Sequence, residues 1–404
     1  MNKHLKTGLI VVVIITGGFL LNFYWQNLRG IKPAVQPVSE DITDLIPPYS
    51  GTEGEPQAVN RTDFPLSLPE GFEISIYAKD LPEARVIARD GQGNLWVSQT
   101  KKGSVTLLEL DNGQVVSQSE IFRNLNNPHG LAIHPNDGLL LYIAEEHQIS
   151  RVRLYTEGGF EKIADLPTDD GHYTRTIGFG ADGRLYVSIG STCNVCDESD
   201  PRRAAIYSMN DDGSDFREYA KGLRNSVFFA WHPKTHEMWA TDNGRDLLGD
   251  DIPPDEINIV RDGANFGWPI CYGKNIHDTN FDKNTYVRPP CQEPFETPSH
   301  IDLQAHSAAL GLGFVPESWP AEYEDDLIVA FHGSWNRSAP TGYKLVRIVL
   351  DEQGNYASTQ DFITGWLASD NSALGRPVGV FFQEDGALLV TDDLAGVIYR
   401  IVAK

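Results

Sequence analysis

One pattern of apolar and polar positions recurs along most of the chain. A short apolar run leads into a polar turn, often Asp-Gly, and a second aliphatic or aromatic run follows and ends near Ser, Thr or Ala. Paired short runs of this kind predict β-hairpins. Six of them occur, at 85–98, 130–144, 176–188, 227–241, 310–330 and 378–391.

The spacing of these hairpins predicts a repeat fold. They start roughly 45 to 90 residues apart, and runs such as 148–155 and 159–164 supply further strands between them. No helical periodicity separates them, which argues against a parallel α/β sheet. The predicted fold class is therefore all-β, a six-bladed β-propeller. We expect the strand at 72–78 to pair with the C-terminal strand at 396–402, so that the ring has no free edge.

The first sixty residues differ from the rest in composition. Lys3, His4 and Lys6 precede an uncharged stretch from 8 to 25, whose 18 residues are long enough to span a bilayer. It carries no clear A-x-A cleavage site, so we predict a signal anchor over 1–26, with a removed signal peptide as the alternative. A proline-rich linker at 27–63 and a propeller domain at 64–404 complete the predicted organisation. The propeller is then periplasmic or otherwise extracytoplasmic, and it meets the membrane only through its tether.

Charge and cysteine content narrow the possible partners. The formal net charge of −23 argues against a nucleic-acid partner, because binding to phosphates needs clustered cations. An exported chain keeps disulfides, so the four cysteines are expected to pair as Cys193–Cys196 and Cys271–Cys291. A redox-active dithiol or a metal site stays open for the first pair, since connectivity does not follow from sequence alone.

Candidate chemistry lies at the junctions that lead into or out of the predicted inner strands. In a propeller these loops converge at one mouth of the central channel, and His or Arg occurs at nearly every one. In a chain with only 11 histidines, this concentration at equivalent positions predicts a functional site. The junctions are 127–130, 170–175, 223–226, 242–245, 305–307, 332–337 and 375–377.

Several of these segments resemble the quinoprotein sugar dehydrogenases. The resemblance rests on Asp170-Gly-His-Tyr-Thr-Arg175, on Gly222-Leu-Arg-Asn225, and on Asp255-Glu-Ile-Asn258 followed by Asn265-Phe-Gly-Trp-Pro269. The resemblance covers about residues 68 to 403. The Arg-Asn, Asp-Glu-Ile-Asn and Asn-Phe-Gly-Trp-Pro motifs, in this order, are specific to the family, whereas the pattern of a single blade is not. Segments 332–337 and 375–379 resemble the bacterial branch often called sorbosone dehydrogenases. The family implies a six-bladed propeller that binds pyrroloquinoline quinone (PQQ) and calcium.

The resemblance also implies roles for individual residues. His172 matches the general base, which takes the proton of the sugar C1 hydroxyl as hydride moves to the quinone. Arg224 matches the arginine that polarises the quinone carbonyl, and Asn225 a neighbouring cofactor contact. Gly244 and Arg245 match the pair whose main-chain carbonyls ligate calcium. Arg376 matches an arginine that pairs with a cofactor carboxylate.

The chain departs from the family pattern at several positions. Gly171 stands where the best-known glucose enzymes have an aspartate. The family's cofactor-binding lysine has no counterpart in the matching segments, and we expect His332 to replace it, with Lys344 as an alternative. Arg337, in the same segment as His332, is a further expected cofactor contact. His129 lies near the position of a glutamine that contacts substrate.

The predicted function is a PQQ- and calcium-dependent dehydrogenase that oxidises an aldose or a sugar aldehyde. Electrons are expected to pass to an external acceptor, because Cys193-Asn-Val-Cys196 is followed by Asp and so is not a haem attachment motif. Two alternatives stay open. One is a non-catalytic propeller that binds a sugar or a partner, and the other is a calcium-dependent lactonase-type hydrolase.

Overall fold

In this computed structural model the described residues are 16–18, 58–168, 171–294, 296–351 and 353–404. Residues 58–404 of this set form a ring of six sheets whose four main strands pair antiparallel, so the predicted six-bladed propeller is confirmed. Two strands precede the first blade, β1 (Val59–Asn60) and β2 (Phe72–Ala78). Blade 1 consists of β3 (Ala84–Arg89), β4 (Leu95–Gln99), β5 (Ser104–Asp111) and β6 (Gln114–Phe122).

The next three blades follow in chain order. Blade 2 contains β7 (Gly130–His134), β8 (Asp137–Ala144), β9 (Gln148–Arg153) and β10 (Glu161–Asp165). Blade 3 contains β11 (Ile177–Phe179), β12 (Leu185–Ile189), β13 (Ala205–Met209) and β14 (Arg217–Lys221). Blade 4 contains β15 (Phe229–Trp231), β16 (Met238–Asp242), β17 (Asp255–Val260) and, after an insertion, β21 (Ile301–Leu303).

The insertion before β21 carries three short strands. β18 (Ala264–Asn265) adds to the outer edge of blade 3, and β19 (Cys271–Tyr272) pairs with β20 (Ile276–His277). The Cys271–Cys291 disulfide links β19 to a later part of the insertion, and Cys193–Cys196 closes a four-residue loop after blade 3's second strand. Both predicted cysteine pairings are confirmed.

Blade 5 contains β22 (Ala309–Phe314), β23 (Leu327–Phe331), β24 (Lys344–Leu350) and β25 (Tyr356–Ile363), with a 3-10 turn at Ala321–Tyr323. Blade 6 contains β26 (Pro377–Phe382), β27 (Leu388–Asp392) and β28 (Val397–Ala403). Its fourth strand is β2, which pairs antiparallel with β28 from Phe72 opposite Ala403 to Ala78 opposite Ile398. The predicted closure of the ring by terminal strands is therefore confirmed.

The Asp-Gly turns of the inner hairpins are built by their aspartates. The Oδ1 atom of Asp90 accepts hydrogen bonds from the main-chain N–H groups of Gln92 and Asn94, at 2.9 and 3.0 Å. Its Oδ2 atom accepts from Nε1 of Trp96, a fully buried side chain of β4, at 2.8 Å. One carboxylate thus shapes the turn and anchors the core of the blade.

Threonines on the second strands join neighbouring blades. Thr241 Oγ1 donates to the carbonyl of Leu310 in the next blade, and Thr391 Oγ1 donates to the carbonyl of Arg85, both at 2.8 Å. The second bond crosses from blade 6 to blade 1. Apolar clusters fill the spaces between blades, and the inner strands surround an apolar channel cavity of about 560 Å³ lined by Phe228, Trp231 and others.

The predicted anchor at 1–26 and linker at 27–63 lie outside the described residues, apart from 16–18 and 58–63. Among the described residues, no helix is both long enough and apolar enough to cross a bilayer. The division of the chain into three segments stays a prediction.

Candidate active site

Loops from blades 3 to 6 enclose a cavity of about 200 Å³ at one mouth of the channel. These loops connect the outer strand of one blade to the inner strand of the next, or follow the second strand of a blade. Six of the nine predicted site residues line it: His172, Arg224, Asn225, Gly244, His332 and Arg376.

The imidazole of His172 is oriented by the segment after β12. Its Nδ1 atom lies 2.9 Å from the main-chain oxygen of Ser191 and 3.1 Å from Ser191 Oγ. Because a carbonyl oxygen only accepts, Nδ1 carries the hydrogen and Nε2 keeps a free lone pair. The carbonyl of His172 accepts from Arg175 Nη1 at 2.8 Å and from Arg203 Nη1 at 3.1 Å, which fixes the loop.

Electrostatics keep this imidazole neutral. Burial, together with the positive charge of Arg224, lowers the pKa of His172 to about 3. A neutral imidazole with an unprotonated Nε2 is the form that accepts a proton at neutral pH.

Arg224 is held by a network of main-chain and side-chain acceptors. Its Nε donates to the carbonyl of Asn194 at 2.9 Å, and its Nη1 donates to the carbonyls of Asn243 and Gly244 at 3.0 and 2.9 Å. Its Nη2 forms an ion pair with Asp246 Oδ2 at 3.1 Å. The side chain is only 6% exposed, so the guanidinium has one defined position beside the cavity.

Two buried aspartates hold the loops that carry these groups. The carboxylate of Asp242, at the end of β16, accepts from the N–H groups of Arg224 and Asn225 at 3.0 and 2.6 Å. The carboxylate of Asp255, at the start of β17, accepts from the N–H groups of Gly244 and Ala308 at 3.0 and 2.7 Å. Burial raises the pKa of Asp255 to about 7.

A second histidine and arginine form the opposite wall. His332 Nε2 lies 3.0 and 3.1 Å from the two carboxylate oxygens of Asp393, which also pairs with Arg85 at 2.7 Å. Arg376 donates to the carbonyls of His332 and Gly333 at 3.1 and 2.7 Å. Burial and the neighbouring Arg376 lower the pKa of His332 to about 4, despite its carboxylate partner.

Three predicted residues do not line the cavity. His129 is fully buried, with Nδ1 3.3 Å from Thr176 Oγ1 and its ring against Phe228, both of which line the apolar channel. The side chain of Arg245 pairs with Asp278 at 2.7 Å. Arg337 donates to the carbonyls of Asp250 and Ala305, the latter at 3.2 Å, and thereby ties two site loops together.

The cavity also contains residues to which the sequence interpretation gave no individual role, although most lie in segments that it named. They are Asn243, Asp246, Asp255, His306, Ala308, Gly333, Trp335 and Asn336. Trp335 is 48% exposed at the edge, and Asn336 Nδ2 donates to Asp246 Oδ1 at 2.8 Å. The Oδ1 atoms of Asn243 and Asn336 are buried without a hydrogen-bond partner, which marks them as acceptors available to a ligand. Their loops were recognisable from the sequence, but asparagine side chains follow no spacing that marks a binding site.

Comparisons with known proteins show which family this chain belongs to. A family model described as TrAA12-like matches residues 66–404. The chain belongs to the TrAA12-like family. The resemblance to quinoprotein sugar dehydrogenases that the motifs indicated is thereby confirmed.

Relatives of this TrAA12-like chain occur in distant organisms. An uncharacterized protein of Borreliella burgdorferi is 34% identical over 357 residues, covering 83% of this chain and 90% of that protein. A pyrroloquinoline quinone-dependent pyranose dehydrogenase of Coprinopsis cinerea is 24% identical over 409 residues, covering 84% of this chain and 54% of the relative.

Solved structures support the fold. The holo form of the PQQ domain of the Coprinopsis cinerea pyranose dehydrogenase superposes with a TM-score of 0.71 at 20% identity, covering 85% of this chain and 99% of that domain. A calcium structure of a Trichoderma reesei family AA12 enzyme gives 0.70 at 21% identity, covering 84% and 98%.

Proposed function

We propose that this protein is an extracytoplasmic quinoprotein oxidoreductase that oxidises an aldose or a sugar aldehyde with PQQ and calcium. The observation that carries the proposal is one cavity that unites a neutral His172, whose Nε2 is free, with the guanidinium of Arg224. The two disulfides of the protein suit an oxidising compartment. The electron acceptor is expected to be an external molecule.

The residues around the cavity fit such a cofactor. Arg224 and Arg376 bring two positive charges to one cavity, which suits a polycarboxylate. All five N–H groups of Arg224 have protein acceptors, whereas Arg376 uses Nε and Nη2 on main-chain carbonyls and keeps Nη1 for a carboxylate. The buried Oδ1 atoms of Asn243 and Asn336 lack donors, and hard oxygen atoms of this kind suit calcium as well. Gly244 would offer its carbonyl to the ion. When bound, the quinone supplies an acceptor for a hydride.

The protein's own groups supply the remaining chemistry. His172 Nε2 would accept the proton of the sugar hydroxyl, while Ser191 holds Nδ1–H and so keeps the tautomer. Arg224 would stabilise negative charge that develops on an oxygen in the cavity. The face of Trp335, half exposed at the edge, would pack against the apolar face of a sugar ring.

Reconstitution of the full chain tests this proposal. The protein would be purified without cofactor, loaded with PQQ and calcium, and assayed by dye reduction with a panel of aldoses and sugar aldehydes. We expect turnover that requires quinone and calcium, and a loss of about 10² to 10⁴-fold in His172→Ala with quinone binding retained. If the wild-type protein binds no quinone, the proposal of a dehydrogenase is wrong, and a non-catalytic binding propeller becomes the favoured function.

The carboxylates of the cavity do not favour a lactonase-type hydrolase. Asp246 is bound by Arg224 and Asn336, and Asp255 by two main-chain N–H groups. Both are therefore engaged in holding the loops of the site.

A further inference from the structure

The loop closed by Cys193–Cys196 lies directly behind Arg224. Asn194, within this loop, accepts from Arg224 twice, through its carbonyl at 2.9 Å and through Oδ1 at 3.1 Å. The same Oδ1 atom accepts from the N–H of Asp246 at 2.7 Å, and Asn194 Nδ2 donates to the carbonyl of Asp246 at 3.0 Å. One asparagine thus fixes the guanidinium together with the loop of its ion-pair partner.

The other side of the loop reaches His172. Ser191 Oγ donates to the carbonyl of Cys193 at 2.7 Å, and the same serine contacts His172 Nδ1 through its carbonyl and its hydroxyl. The hydroxyl and the N–H of Thr192 donate to the carboxylate of Glu198, both at 2.7 Å, and so fold the chain back on itself. The two candidate catalytic side chains are therefore supported by one short segment, 191–198.

This segment has no regular secondary structure to hold it. Residues 190–204 are turns and bends between β12 and β13, and the disulfide is the covalent constraint that brings Cys193 and Cys196 to a Cα separation of 6.2 Å. A contact made by an unconstrained loop costs conformational entropy each time it forms. Closing the loop covalently removes that cost from the contacts of Asn194.

We propose that Asn194 is a positioning residue for Arg224 and that the Cys193–Cys196 disulfide exists to hold it. The bond serves the geometry of the site more than the stability of the fold. This inference deepens the proposed function and rests on it for its effect on cofactor binding, but the position of Arg224 can be measured without any cofactor.

The second disulfide provides a matched control. Cys271–Cys291 closes a longer loop, with a sequence separation of 20 against 3, and neither cysteine lines the cavity of His172. Cys271 borders a separate small pocket with Arg224 but supplies none of the acceptors that hold its guanidinium. A longer closed loop restricts the unfolded chain more. If each bond were only structural, both double serine variants would lower the thermal midpoint and neither would change the site.

The experiment compares Cys193→Ser/Cys196→Ser, Cys271→Ser/Cys291→Ser and Asn194→Ala in the full chain. The first readout is the dissociation constant for PQQ with calcium, measured by titration. We expect the constant to rise about tenfold in Asn194→Ala, where Arg224 loses its Oδ1 acceptor, and in the first variant, where the loop that carries both Asn194 acceptors is no longer closed. The thermal midpoint should fall more in Cys271→Ser/Cys291→Ser, whose quinone affinity stays at the wild-type value.

The second readout needs no cofactor. Phenylglyoxal modifies accessible guanidinium groups, and mass spectrometry compares the reaction rate at Arg224, 6% exposed, with that at Arg217, 40% exposed. We expect the ratio of the two rates to rise in Asn194→Ala and in Cys193→Ser/Cys196→Ser, and to stay constant in the control. An unchanged ratio in both variants overturns the positioning role, even in a protein that binds quinone. If the ratio rises in the variants but the wild-type protein binds no quinone, the positioning role of Asn194 is supported and the proposed dehydrogenase function is rejected.

Discussion

The guanidinium of Arg224 donates from Nη1 to the main-chain oxygen of Gly244 at 2.9 Å. These are the two residues that the resemblance assigns to the quinone carbonyl and to calcium. In this structure the predicted calcium ligand is therefore already a hydrogen-bond acceptor. A cation that binds this oxygen has to share it with the guanidinium, whose positive charge repels the cation.

This contact predicts competition between Arg224 and calcium. Arg224→Leu should bind calcium more tightly than the wild-type protein in the absence of quinone, because the carbonyl is freed and a like charge is removed. We expect a change of about tenfold, measured by isothermal titration of the cofactor-free protein. Arg217→Leu, which removes a distant exposed arginine, controls for net charge. Equal calcium affinities in all three proteins would show that Gly244 is not a ligand.

The depressed pKa of His172 predicts a stability difference that depends on pH. The group titrates near 6.5 when unfolded and at about 3 when folded, so the unfolded chain binds more protons between these values. Stability is then lost as the pH falls through this window. Between pH 7 and pH 5 the wild-type protein should lose about 2 kcal/mol more unfolding free energy than His172→Gln.

Urea unfolding of the cofactor-free proteins at the two pH values measures this difference. Burial also raises the pKa values of Asp255 and Asp392 to about 7, but these groups titrate in both proteins and cancel. The same loss in both proteins would mean that the imidazole is not held neutral.

The exposed indole of Trp335 predicts an effect on sugar binding alone. It lines the cavity edge and is 48% exposed, so its removal should not disturb the fold. A stacking contact that is equal in the ground state and the transition state lowers KM without changing kcat. Trp335→Ala should therefore raise KM for the sugar about tenfold at constant kcat, while Trp335→Phe stays close to the wild type. A fall in kcat at constant KM would contradict this role.

Ring closure predicts a large penalty for one aromatic substitution near the N-terminal end of the propeller. Phe72 of β2 is 1% exposed and packs against Trp319, Tyr323 and Phe362 of blade 5. Phe72→Ala should lower the unfolding free energy by about 3 to 5 kcal/mol, measured by urea unfolding. Ile76→Ala, on the same strand but half-buried, should cost less. Equal losses of unfolding free energy in the two variants would mean that β2 stabilises the ring through strand pairing and not through the packing of Phe72.

The residues of the site were accessible from the sequence to different degrees. The repeated strand pattern placed the loops of His172 and Arg224 at one mouth of the channel, and the resemblance to quinoprotein sugar dehydrogenases singled out these two residues. Arg337 and His129 satisfied the same rule, yet Arg337 binds loop carbonyls and His129 packs beside the apolar channel. A sequence position at a strand end fixes the loop of a residue but not the direction of its side chain.

The number of blades, the closing strand and the loops that meet at one mouth could be predicted without the structure, because apolar runs and Asp-Gly turns are local features. The expected export of the chain indicated disulfides, and the structure established which cysteines pair. The folded protein was needed to see that Asn194 supports Arg224 across 30 residues, and that Asp246, which pairs with Arg224, also accepts from Asn336 across 90 residues. Such contacts depend on how the loops of separate blades approach each other, and no local pattern encodes that distance.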